Sequence, residues 1–144
     1  MHFVTGGCFN GKGQWVKSFY QFTEENCIWV SAYKGEKLLD STGFLNHDAI
    51  VLVGIELWLR KWSMVNPHHA RERWKNYLHS LLEWEKSNHN RKAVVIASDI
   101  TKGIVPASKE DRNWRDAAGW VYQETVAKSE RTDLIMYGLN KRIK

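Results

Sequence analysis

The chain has 144 residues, of which 43% are hydrophobic and 26% charged, the balance of a globular protein rather than a disordered or fibrous one. Its 21 Lys and Arg against 16 Asp and Glu leave a net charge of +5, which suits anionic ligands without naming one. No apolar run approaches the roughly 20 residues of a membrane span; Cys8 and Cys27 alone make no disulfide framework; and the opening MHFVTGG lacks the pattern of a signal peptide. A single domain over residues 1–144 and a cytoplasmic location are the expectations.

The first apolar run, HFVT at 2–5, leads into GGCFNGKG, and Trp15, Val16, Phe19 and Tyr20 then share one helical face. Gly6, Gly11 and Lys12 have the spacing of a GxxxxGK phosphate loop, in which glycines let backbone amides surround phosphate oxygens. With a strand before it and a helix after it, the loop of Gly6, Gly7, Cys8, Phe9, Asn10, Gly11, Lys12 and Gly13 is expected to bind a nucleotide, with Lys12 reaching the terminal phosphates. Gly13 departs from the motif, because a Ser or Thr there would offer its hydroxyl to Mg²⁺. Water can fill that coordination position.

CIWV at 27–30 is the second strand, and the polar segment from Lys34 to Asn46 is a connection with one helical turn around Leu38 and Leu39. IVLV at 50–53 is the third strand. Asn66 and Pro67 cap a helix whose buried face is Ala70, Trp74, Tyr77, Leu78 and Leu81. AVVIA at 93–97 is the fourth strand, Ser108 and Asp111 open a helix carrying Trp114, Ala117, Ala118, Val121 and Thr125, and LIMY at 134–137 is the fifth strand. The strands lack apolar–polar alternation, as strands covered on both faces do. The alternation of strand and helix predicts a three-layer α/β fold of the P-loop NTPase type, a mostly parallel central sheet with helices on both faces.

Other candidates have plain readings. His68 and His69 are adjacent on a helix and point in different directions, so they make no metal pair. Arg60, Lys61, Arg71 and Arg73, with eight Trp residues, invite a nucleic-acid reading. Most of those Trp fall on amphipathic or strand positions suited to the core, and nucleic acid is not the expected partner.

The stretch SDITKGIVPASKEDRNWRDAAGWVYQ, followed by LIMYGLNKRIK, resembles the adenosylcobinamide kinase/adenosylcobinamide-phosphate guanylyltransferase family of cobalamin biosynthesis. The matching positions are Asp99, Gly103, Ile104, Val105 and Pro106, then Arg112, Trp114, Arg115, Asp116, Gly119 and Gln123, then Gly138 and Lys144, with MHFVTGG and Leu57–Leu59 also in keeping. The resemblance implies a homo-oligomer that uses ATP or GTP with Mg²⁺ to phosphorylate a corrinoid alcohol such as adenosylcobinamide. It also implies a second reaction, GMP transfer through a covalent histidine between the second and third strands. Only His47 lies between Val30 and Ile50, without the family's neighbouring residues, so it reads as a loop residue and guanylyl transfer is not expected.

Gly54 stands where the family's third strand ends in a metal-holding Asp. Glu56 and Asp99 are then the acids placed to organise Mg²⁺, and Lys12 and Asp99 the candidate catalytic residues. Two functions follow, an NTP-dependent kinase and a catalytically inactive nucleotide-binding homologue that acts by association.

Overall fold

The computed structural model describes residues 1–23, 25–40, 42–44 and 46–144. Its elements run β1 (His2–Gly6), α1 (Lys12–Tyr20), β2 (Cys27–Ser31), a 3₁₀ turn (Ala32–Lys34), β3 (Ala49–Val53), α2 (Ile55–Ser63), α3 (Pro67–Lys86), β4 (Lys92–Ser98), α4 (Lys109–Lys128), β5 (Arg131–Met136) and β6 (Leu139–Arg142). The six strands form one sheet in the order β2-β3-β4-β1-β5-β6. β1 lies between β4 and β5 and runs parallel to both, and β6 alone is antiparallel, folded back on β5.

Residues of one strand alternate between two cores. Phe3, Leu52 and Val95 face the layer that contains Trp58 of α2, Trp74 of α3 and Val121 of α4. Val4, Val51 and Val94 face the other side, where Val16 of α1 is fully buried. Helices therefore cover both faces of a mostly parallel sheet, as the strand–helix alternation predicts. No helix among the described residues is long and apolar enough to cross a membrane.

The predicted caps form. Asn66 Oδ1 accepts from the His69 amide at 2.8 Å, with Pro67 in the first turn of α3, and Ser108 Oγ accepts from the Asp111 amide at 3.1 Å. Each satisfies an amide that the helix itself leaves without a partner. Three details differ from the sequence reading. The helical turn expected around Leu38 and Leu39 lies instead at Ala32–Lys34, closed by the Gly35 amide on the Ala32 carbonyl at 3.0 Å. β5 starts earlier than predicted, at Arg131, and the chain adds α2 and β6. Ser41 and Leu45, within the segment read as a connection, lie outside the described residues.

Candidate functional site

β1 ends at Gly6, where φ is 148° and an added Cβ would lie 2.1 Å from the Ile135 carbonyl oxygen. Only glycine lets the chain turn into the loop this close to β5. The loop ends at Gly11, which caps α1 with φ at 83° and no side-chain hydrogen bond, so the first amides of α1 are presented to an anion rather than to a capping side chain. Between these glycines the backbone is held on several sides. The Asp99 amide donates to the Gly6 carbonyl at 3.0 Å, the Gly138 amide donates to the Asn10 carbonyl at 3.0 Å, and the Tyr137 amide donates to Asn10 Oδ1 at 3.3 Å.

Lys12 folds back under the loop, its Nζ donating to the Gly7 carbonyl at 2.8 Å and the Gly6 carbonyl at 3.2 Å. Burial pushes its ammonium below the usual lysine range, against the opposing pull of Glu56 and Cys8. A cavity of about 370 Å³ opens over this lysine, lined by the loop from Cys8 to Gln14 and by Tyr33, Val53, Gly54, Ile96 and Ser98.

The wall opposite the loop is built around Glu56, which is 2% exposed in the first turn of α2. Tyr33 Oη donates to Glu56 Oε1, and the Ser98 amide donates to Glu56 Oε2 at 3.1 Å. Ser98 Oγ lies 3.1 Å from Tyr33 Oη, and the Ser98 carbonyl accepts from Tyr122 Oη at 2.7 Å. Burial, followed by the hydrogen bond to Glu56, pushes the Tyr33 phenol up. The Tyr33 ring crosses Gly54, where a Cβ would meet Cε2 at 2.5 Å and where φ is 78°. At the position of the family's acid, this chain therefore has an aromatic face.

The residues singled out by sequence separate into three places. Cys8, Phe9, Asn10, Gly11, Lys12 and Gly13 line the cavity, while Gly6 and Gly7 hold the Lys12 ammonium from beneath. Glu56 sits behind the cavity wall, closed off by Tyr33 and Ser98. Asp99 follows β4 but does not line the cavity; it accepts from Thr101 N at 3.0 Å, Thr101 Oγ1 at 2.7 Å and Lys102 Nζ at 3.4 Å. Burial works to raise its pKa, and these hydrogen bonds and the lysine charge overcome that effect and hold its carboxyl below the usual range.

Gly13 and Gly54 bring no oxygen side chain, and both oxygens of Glu56 are taken. Among the described residues no three of His, Cys, Asp and Glu group to hold a metal ion. The side chains present do not fit a protein-built Mg²⁺ centre, and a cation arriving with a nucleotide has phosphate and water for ligands.

Sequence reasoning missed Tyr33 and Ser98. Tyr33 belongs to no local motif and Ser98 only opens the SDITKGIVP stretch without being one of its matching positions; they meet because the ends of β2 and β4 open onto the same cavity. Arg112 and Arg115, two of the matching positions of the C-terminal stretch, bind backbone carbonyls. Arg115 donates to the carbonyls of Thr101, Gly103 and Ile104, and Arg112 to those of Pro106 and Ala107, so α4 holds the preceding loop by its backbone.

Strand, glycine loop, helix and buried lysine together define a P-loop α/β protein. The sequence pattern of cobinamide kinase / cobinamide phosphate guanyltransferase matches residues 32–143, and the chain belongs to that family. The matched stretch begins after β2, so the Gly6–Gly13 loop lies outside it. No curated protein sequence matches the chain. Among solved structures, Pif1 helicase from Bacteroides in complex with ADP-AlF3 and ssDNA overlaps at a TM-score of 0.42 and 14% identity, covering 93% of this chain. A structure of two coordinating Pif1 helicases at forked dsDNA overlaps at a TM-score of 0.37 and 14% identity, covering 92% of this chain. The chain spans 37% and 38% of the length of those helicase chains.

Proposed function

We propose that this chain binds ATP or GTP through the Gly6–Gly13 loop, with the first amides of α1 around the phosphates and Lys12 as their counter-charge. The observation that carries this reading is the position of Lys12, buried under the loop with its ammonium on the Gly6 and Gly7 carbonyls and a cavity above it. A phosphate offers that ammonium a stronger partner than two neutral carbonyls. Family membership makes phosphorylation of a corrinoid alcohol the reaction to expect at such a site. In that reaction the loop amides and Lys12 would stabilise the charge on the transferred group. Guanylyl transfer is not part of the proposal, because no counterpart of the family's histidine segment stands between β2 and β3.

A second reading, a nucleotide-binding member without transfer activity, is favoured by Tyr33 lying across Gly54 and by the missing hydroxyl at Gly13. Calorimetric titration with ATP and with GTP tests the binding common to both. Lys12→Ala is expected to weaken affinity roughly 10- to 100-fold, the scale of a charge-assisted hydrogen bond. Equal affinity in the variant, or no binding by the unmodified chain, overturns the assignment. Incubation with adenosylcobinamide and either nucleotide then separates the two readings, since only the kinase yields the phosphate ester.

A further inference from the structure

Tyr33 converges on three features that the phosphate loop does not explain. Its ring covers Gly54, its hydroxyl donates to the buried carboxylate of Glu56, and Ser98 supports that hydroxyl from the side. Glu56 is the acid closest in sequence to Gly54, and Tyr33 rather than Glu56 lines the cavity. Glu56 has a phenol O–H donor on one oxygen and the Ser98 amide on the other, and it is not among the residues that line the cavity.

We propose that Tyr33 takes the place of a cation at Glu56, so that this site binds the nucleotide without a protein-held metal and Mg²⁺ does not tighten the complex. The proposal rests on the nucleotide-binding reading above and adds to it the form of the ligand. In a phosphate loop with a metal-holding acid, Mg²⁺ bridges that acid to the phosphates and strengthens binding. In this chain the bridge ends at a phenol ring, which offers the metal no ligand while the Tyr33–Glu56 bond stands. The cost of desolvating Glu56 is met by the Tyr33 proton and the Ser98 amide, with Lys12 adding an attractive charge nearby. The metal preference of the site is thus set by a residue of the turn after β2, distant in sequence from both the loop and the end of β3.

The test is the affinity for ATP and GTP, measured by calorimetry on the full chain in EDTA and again in excess Mg²⁺. The unmodified chain is expected to bind no more tightly in Mg²⁺ than in EDTA. Tyr33→Ala, which uncovers Gly54 and releases Glu56, is expected to gain at least tenfold from Mg²⁺, and adding Glu56→Gln to it is expected to abolish the gain. Tyr33→Phe guards against misfolding, because it keeps the ring over Gly54 and removes only the hydroxyl; it is expected to show a smaller gain of the same sign. Tightening of the unmodified chain by tenfold or more in Mg²⁺ overturns the proposal, as does an absent Mg²⁺ response in both Tyr33 variants. Nucleotide binding that survives in EDTA and is lost in Lys12→Ala keeps the binding reading intact in either of those cases. No binding under any condition removes both.

Discussion

At Gly54 two constraints act on one Cα. The backbone there is left-handed, at a φ of 78°, and the Tyr33 ring leaves no room for a methyl group. Gly54→Asp, which would restore the family's acid, is expected to destabilise the fold by about 1–3 kcal/mol, the scale of a non-glycine residue in this region with added crowding. In a Tyr33→Ala background the same substitution is expected to be milder, because only the backbone strain remains. Urea midpoints of the four proteins in this cycle measure the difference, and an equal loss in both backgrounds would show that the ring plays no part. That Gly54 replaces an acid is legible in the sequence alone. The reason is not, because Tyr33 reaches it only through the pairing of β2 with β3, which no local spacing encodes. Glu56 shows the same limit: its proximity to Gly54 is visible in the sequence, and its burial behind a phenol is a tertiary fact.

Helices α3 and α4 meet across a buried polar contact, in which Trp74 Nε1 donates to Thr125 Oγ1 at 2.9 Å and Thr125 Oγ1 donates to the Val121 carbonyl at 2.6 Å. Both residues are fully buried. Thr125→Val keeps the shape and leaves the indole N–H without a partner, an expected loss of about 1–3 kcal/mol in unfolding free energy. The loss should shrink when Trp74→Phe is already present, and full additivity would rule out the coupling. The elements legible in the sequence are those with strong local signals: β1, β2, β3 and β4 from their apolar runs, α1 from its apolar face, and α3 and α4 from their caps and apolar faces. α2 escaped because it has no side-chain cap and follows β3 after the single residue Gly54, with no polar connection to mark its start. The start of β5 escaped because Thr132 and Asp133 are polar yet fully buried, and β6 escaped because Leu139–Arg142 is exposed along its whole length. Burial of a polar residue and exposure of a strand both remove the pattern on which sequence reading depends.

Across the whole molecule the sheet is loaded unevenly, with α2, α3 and α4 on one face and α1 on the other. Under α1 lies a buried polar chain: Tyr20 Oη and His2 Nδ1 at 2.8 Å, His2 Nε2 and Asp133 Oδ2 at 2.8 Å, and Arg131 Nε on the same carboxylate oxygen at 2.5 Å. Burial pushes His2 down to about 4 from an ordinary value of 6.5, outweighing the attraction of Asp133, whose charge Arg131 and Asn140 already meet. The neutral ring then donates from Nε2 to Asp133 and accepts from Tyr20. Because the unfolded chain takes up the His2 proton near pH 6.5 and the folded chain resists it to about 4, the unfolded state binds more protons between those values. The stability contributed by His2 staying neutral is therefore full above pH 6.5 and is lost as the pH drops, by about 3 kcal/mol near pH 4. Urea midpoints between pH 7 and 5 should show this decline, and His2→Gln should flatten it. A flat profile in the unmodified chain would contradict the assignment. The tie between the phosphate loop and the β5–β6 hairpin has its own result. Asn10 is anchored by the amides of Tyr137 and Gly138, so the loop has already given up much of its conformational freedom. The anion proposed to enter it would meet a rigid mould rather than a slack noose, with little ordering left to oppose the encounter.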